Sequence, residues 1–255
     1  MHKKFDVNSL SVVKHNDLID GDYSMGVIEQ RIMLTVISKI DSTQELPDNH
    51  VFSISVDDIA DIFNVGDGGS TYQHLKDACD SLRNKVIYIT LPSIKTGKPI
   101  KQKTSWVYMV GYVEHESRIE IRIVPELLPY LTKLTKNFTK YKLANVAKFK
   151  STYSYRIYEF LSRWGHGERT VSIVWLKERL ELTDKYDRMD RFKADVIDIA
   201  VKEISATSNI KVTYEQIKKG RNIVALRFIY TRTPDKTLLK AESEPLALLH
   251  LKNQK

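Results

Sequence analysis

From Met25 onward Ile28, Ile32, Val36 and Ile40 recur at helical spacing, and Met33 and Ile37 widen the apolar stripe, which predicts a long core helix. Val51 to Ser55 alternates like a strand. Ser55 then stands as a helix cap before the acidic first turn of Asp57 and Asp58, and Ile59, Ile62 and Phe63 give that short helix its buried face. Gly66 to Gly69 breaks the chain, and Ser70 or Thr71 caps a second helix with Leu75, Ala78, Cys79 and Leu82 on one side. Val86 to Leu91 reads as a strand, followed by a polar loop with Lys95, Lys98, Lys101 and Lys103, and Trp106 to Val113 reads as the returning strand. Helix-turn-helix followed by a β-hairpin is a winged helix. Arg118 to Val124 alternates again, Pro125 and Pro129 bracket a short element, and the Lys/Thr-rich stretch LTKLTKNFTKYKL places the domain junction nearby.

The same order of elements starts again at Tyr153. Tyr153, Ile157, Phe160, Leu161 and Trp164 face one side of an opening helix that Gly165 and Gly167 end, and Val171 to Val174 reads as a short strand. Trp175, Leu176, Leu180 and Leu182 belong to a compact helix, Thr183 to Asp187 is a polar turn, and a long helix runs from about Arg188 to Ser205. Strands Lys211 to Ile217 and Asn222 to Tyr230 flank the basic loop Lys218-Lys219-Gly220-Arg221. The expected fold class is therefore α+β, with two tandem winged-helix domains related by a pseudo-repeat. Residues 1–137 form the first, 138–236 the second, and 237–255 a tail whose Leu238, Leu239, Leu246, Leu248 and Leu249 suit a short packing helix, although Pro245 and the terminal position favour fraying.

Composition sharpens this picture through the distribution of charge. The chain of 255 residues carries net charge +8, yet Met1 to Pro125 has 14 Lys/Arg against 17 Asp/Glu, net −3, while Glu126 to Lys255 has 26 against 15, net +11. Such an excess in one half points to a polyanion partner for the second domain. The single Cys79 forms no internal disulfide and reads as a small buried side chain. The amino terminus has no apolar run behind its charges, and no stretch reaches the roughly 18 uncharged apolar residues of a membrane span, so the chain is expected to be soluble and cytoplasmic without a membrane partner.

On the helix from Arg188 to Ser205, Phe192, Val196, Ile199, Ala200 and Ile204 fall on the inner arc, and Arg188, Arg191, Ala194, Asp195, Asp198 and Lys202 on the outer one. The amino-terminal part of the second helix of a helix-turn-helix enters the major groove, where arginine pairs in bidentate fashion with guanine O6 and N7. Arg188 and Arg191 stand at that end. Lys193 winds toward the apolar side and suits a phosphate at the helix entrance. Asp195 and Asp198 oppose phosphate unless they accept from a cytosine amino group or orient an arginine, and they can instead limit how deeply the helix sits. Lys218, Lys219 and Arg221 make a wing tip suited to phosphate or minor-groove contacts, the alternative being a solvated hairpin tip. The corresponding helix of the first domain presents Gln73, His74, Asp77, Asp80, Ser81 and Asn84, a face better suited to a protein partner, although the nearby lysines Lys95, Lys98, Lys101 and Lys103 can hold phosphate.

No catalytic signature competes with binding. None of the 7 histidines is paired across one residue as a metal-dependent nicking enzyme requires, and the glycines at 66–69 and at Gly97-Lys98 do not complete a phosphate-binding GxxxxGK[ST]. HExxH, GxSxG and paired cysteines are absent as well. The expectation is a DNA-binding protein that is not an enzyme and uses no cofactor, with a winged-helix transcription repressor and, less favoured, a nicking enzyme as alternatives.

The strings NDLIDGDYSMGVIEQRIM, IVPELLPYL, FTKYKL, YSYRIYEFLSRW and YDRMDRFKADVIDIAVKEI, followed by KKGR, run in this order along nearly the whole chain. In them the sequence resembles the iteron-binding replication initiators of theta-replicating plasmids. The resemblance implies monomers on double-stranded origin repeats, homodimers that repress the gene from an inverted operator, and host replication proteins and chaperones as partners. It also implies a first domain that serves dimerisation and switching, and it carries DNA contact onto Arg188, Arg191, Lys193, Lys218, Lys219 and Arg221. Related chains often hold a basic run where this one has Lys193-Ala194-Asp195, so the repeat it reads is expected to differ.

Overall fold

The computed structural model describes residues 6–234 apart from 48, 65, 67, 68 and 94. Strand β1 (Ser11–His15) leads through the single-turn helix α1 (Asn16–Ile19) to the core helix α2 (Val27–Ser38). Helix α2 starts at Gly26, whose N–H donates to Glu29 Oε2 at 2.6 Å, and it buries Ile32, Met33, Val36 and Ile37 as their spacing predicts. Strand β2 (Phe52–Ser55) ends at the expected cap of α3 (Val56–Phe63): Ser55 Oγ accepts from Asp58 N at 3.0 Å while Ser55 N donates to Asp58 Oδ2 at 3.1 Å. This reciprocal box satisfies two amide groups that the first turn leaves open. Helix α4 (Gly69–Arg83) follows and buries Leu75, Cys79 and Leu82.

The wing of this first unit departs from expectation. Strand β3 (Val86–Pro92) pairs with β4 (Pro99–Ser105), which lies in the segment read as a loop, while β5 (Val107–Val113) pairs with β6 (Arg118–Ile123). Strand β4 escaped detection because its exposed run PIKQKT has no alternating apolar residues, and its partner strand alone holds it in register. Lys101 and Lys103 are thus strand residues, and Lys95 and Lys98 sit at the ribbon tip beside Gly97, whose φ of +67° the turn requires. Strands β2, β6 and β5 form a separate antiparallel sheet in that order.

After a 3₁₀ stretch at Pro125–Tyr130, strand β7 (Phe138–Lys142) returns to pair with β1, Val12 opposite Tyr141. Backbone hydrogen bonds therefore link 138–142 to 11–15 across the expected junction. Helix α5 (Thr152–Trp164) is buried on almost every side, because it packs on α1, α2 and β7 as well as on the second unit. Its aromatic side meets the next element through Phe160, Trp164 and Trp175, with ring centroids 5.0–5.9 Å apart.

Strand β8 (Gly167–Ser172) stops earlier than its apolar run suggests, since Ser172 Oγ accepts from Trp175 N and caps α6 (Ile173–Arg179), so Val174 is helical. The recognition helix comprises α7 (Met189–Phe192), a π-helical turn over Lys193–Asp198 and α8 (Ile199–Thr207), followed by β9 (Ile210–Lys219) and β10 (Asn222–Arg232). The second sheet runs β8-β10-β9 and buries Leu226, Phe228 and Tyr230 against these helices. Residues 237–255, read as a tail, lie outside the described residues.

Candidate nucleic-acid interface

The turn between α6 and α7 is set by its own chemistry. Leu180 and Leu182 are buried, Glu181 and Tyr186 take positive φ, and Lys177 Nζ donates to Tyr186 O at 2.9 Å. Tyr186 packs edge-on to the buried Phe192, which seats the first turn of the recognition helix. Arg188 is the residue before that turn, and its guanidinium grips Asp190 at 2.6 and 3.1 Å. Both partners are largely in water, so the pair is weak and open to exchange for a phosphate or a base edge. Arg191 is exposed and forms no side-chain ion pair among the described residues.

The π-helical turn corrects the arc drawn for an uninterrupted helix. Its i→i+5 bonds take one extra residue into the turn, so residues beyond it lag by about 100° relative to an α-helix. Ile197 becomes fully buried and Ile199, expected in the core, is 46% exposed. Phe192, Val196, Ala200 and Ile204 remain buried, and Arg188, Arg191, Ala194, Asp195, Asp198 and Lys202 all lie on the exposed side. Lys193 is half-buried, in keeping with its position toward the apolar face.

One of the two aspartates has a structural partner. Tyr214 on β9 donates its hydroxyl to Asp198 Oδ1 at 2.5 Å, which ties the recognition helix to the sheet. Partial burial, and then the bond to Asp198 with its negative charge, pushes the Tyr214 phenol well above its usual range. The tether therefore keeps its proton throughout the neutral range. Asp195 stays exposed on the outer face.

Lys218, Lys219 and Arg221 are exposed around Gly220, whose φ of +62° permits the β9–β10 turn, and Lys219 pairs across the ladder with Asn222. The second unit thus carries exposed arginines at the start of the recognition helix and an exposed cationic wing. Lys95 and Lys98 form a second exposed pair on the β3–β4 ribbon, with Lys103 lying 5.6 Å from the centre of the Tyr88 ring. Lys101 differs from them: it is bound to the buried carboxylate of Asp22, which also holds Arg179. Sequence patterns did not single out Asp22, Arg179 or Tyr214, because no periodicity marks a side chain whose partner is distant in the chain.

A second polar centre lies beneath. Glu159 Oε1 accepts from Lys14 Nζ at 2.6 Å and from Tyr141 Oη at 2.7 Å, and its Oε2 accepts from Tyr23 Oη and Arg156 Nη1, both at 3.1 Å. All five side chains are buried. Burial alone would raise the Glu159 carboxyl, but Lys14, Arg156 and the hydrogen bonds outweigh it and hold the group below its usual range. Arg156 also donates to the carbonyls of Ile19 and Gly21, so this network fastens α5 to β1, to β7 and to the chain after α1. Among the described residues no group of three or more His, Cys, Asp or Glu is placed to hold a metal ion, and no helix is long and apolar enough to cross a membrane.

Two family models match this architecture. That of the first winged helix, "Initiator Replication protein, WH1", covers residues 11–162, and that of the second, "Initiator Rep protein, WH2", covers 172–230. The first match takes in nearly all of α5, as expected for a helix packed into both units. A replication initiation protein of Escherichia coli is 27% identical over 230 residues, which are 87% of this chain and 70% of that protein. An uncharacterised 27.6 kDa protein of Escherichia coli is 22% identical over 232 residues, 85% and 94% of the two chains. The crystal structure of the Pi initiator protein in complex with iteron DNA shares the fold, with a TM-score of 0.73 at 21% identity over 89% of this chain and 99% of the other.

Proposed function

This chain belongs to the initiator replication protein family, and on that premise we propose that it starts replication of its plasmid by binding repeated origin sequences as a monomer. The carboxy-terminal winged helix reads the repeat: Arg191, with Arg188 beside it, addresses base edges in the major groove, while Lys193 and Lys202 and the wing residues Lys218, Lys219 and Arg221 hold phosphates. The amino-terminal winged helix, within residues 1–137, contributes phosphate contacts through Lys95, Lys98 and Lys103. In a homodimer it becomes the pairing surface, and the dimer represses the gene from its operator. Host replication proteins and chaperones are the further partners of this reading, and the chain acts by binding, without catalysis or cofactor.

The observation that carries the reading is the exposure of Arg191 together with the basic wing on one winged helix. A protein related to an initiator that binds iterons is expected to use that surface on DNA. The test removes the gene from its replicon and supplies it from a second, compatible plasmid. Propagation that depends on the supplied gene, and fails with its Arg191→Ala allele, is the expected result. A replicon that persists without the gene would overturn the origin role and leave a transcription repressor.

A further inference from the structure

We propose that Asp22 is a positioning residue that holds the amino-terminal ribbon and the carboxy-terminal helix-turn-helix in the register needed to grip one origin repeat together, without itself touching DNA. The inference rests on the origin-binding reading above and names the part of the molecule that couples its two grips.

The main chain around Asp22 is fixed from two sides. Asp22 N donates to Tyr88 O at 2.9 Å and Tyr88 N to Asp22 O at 3.0 Å, a bridge that pins the residue to β3. Just before it, Arg156 of α5 donates to Gly21 O at 2.8 Å, and a Cβ on Gly21 would stand 2.7 Å from Ile87 Cδ1. No side chain larger than hydrogen fits there unless Ile87 moves.

From this fixed point the carboxylate divides its two oxygens between the two units. Oδ1 takes the guanidinium of Arg179, the last residue of α6, and Oδ2 takes the ammonium of Lys101 on β4. Each cation is further placed by a ring, Arg179 over Trp175 at 5.3 Å and Lys101 over Tyr88 at 4.9 Å. Asp22 itself is only 4% exposed and Arg179 is largely covered, so water screens that pair little, whereas the more exposed Lys101 is screened more. A cleft of about 290 Å³ opens beside it, lined also by Glu178 and Glu181. Burial and then the Asp22 charge raise the Glu181 carboxyl, while Lys85, Lys101 and Lys103 act in the opposite direction.

The mechanical consequence follows from what each limb carries. Helix α6 leads into the recognition helix, and β4 descends from the tip that bears Lys95 and Lys98. Two grips on one duplex strengthen each other only when their spacing matches the DNA, and linked modules lose that gain when the geometry slips. Lys101, read from sequence as a phosphate contact, serves here as the ribbon's tether.

Hydroxyl-radical footprints and gel-shift affinities of the full chain test this on a fragment from the origin region of its own plasmid, and on the same fragment with one base pair inserted between the two protected tracts. Wild type is expected to lose about tenfold or more on the insertion. Asp22→Asn and Arg179→Gln are expected to bind the natural repeat about tenfold more weakly, to fade in the tract that Arg191→Ala leaves intact, and to lose little further on the insertion. Should Asp22→Asn fail to fold by its thermal melt, Arg179→Gln, at a more exposed site, answers the same question. Wild-type affinity and spacing penalty in folded variants would overturn the proposal, as would equal fading of both tracts. Absence of any wild-type footprint would instead overturn the origin-binding reading beneath it.

Discussion

Replacing Glu159 with glutamine changes one atom and removes the only negative charge of a buried cluster that holds two positive ones, Lys14 and Arg156. The amide keeps the shape and one acceptor, but its NH₂ group then faces donors. Lys14 and Tyr141 converge on one carboxylate oxygen and Tyr23 and Arg156 on the other, so either orientation of the amide sets one obligate cationic donor against its nitrogen, while the tyrosine hydroxyl there can turn to accept. Breaking a buried ion pair from one side costs about 3 to 5 kcal/mol, because the remaining charge stays in a medium that solvates it poorly. For a chain of this size that corresponds to a fall in Tm of roughly 6 to 20 °C. Urea unfolding followed by circular dichroism reads the loss as a lower midpoint at unchanged slope. Adding Lys14→Met to Glu159→Gln removes the stranded ammonium and is expected to recover part of the loss. The pH dependence has a definite sign. A carboxyl held below its unfolded value contributes stability above that value and loses it as pH falls through the folded one, so wild type and Glu159→Gln should converge in acid. A penalty below about 1 kcal/mol, or a double variant less stable than Glu159→Gln, would refute the argument.

Two further outcomes follow from burial and charge. Cys79 is fully buried and its thiol is pushed up to about 12 by burial, with the Asp80 and Glu29 charges adding to it, so alkylation should fail in native buffer and proceed on unfolding; rapid labelling of the native chain would contradict this. Lys218→Ala should weaken origin and random duplex alike and lower the slope of log affinity against log salt by about 0.9, and an unchanged slope would remove Lys218 from the phosphate contacts.

Much of the fold was legible because several helices carry an apolar stripe at helical spacing, although α2 and α5 are buried nearly all round. The spacing of Ile32, Val36 and Ile37 and the Ser55 cap each predicted an element that is present. Strand β4 was illegible for the opposite reason, since an exposed ribbon of lysine, glutamine and threonine leaves no alternation to detect. The π-helical turn was hidden too: it changes the phase of a helix without any residue that breaks one, so Ile199 read as core and lies in solvent. At the candidate interface, the exposed cations were legible from charge and spacing, whereas the groups that position them were not. Asp22 and Arg179 lie 157 residues apart, and Tyr214 reaches Asp198 across 16. Such pairs become visible only once the chain has folded.

The central claim, that the carboxy-terminal recognition helix reads bases, is tested most directly by competition binding of wild type and Arg191→Ala on an origin repeat and on random duplex of equal length. A bidentate contact with guanine predicts a loss of about 1 to 3 kcal/mol on the repeat, with a much smaller change on random DNA. Equal losses on both duplexes would contradict the account and reduce Arg191 to a phosphate contact.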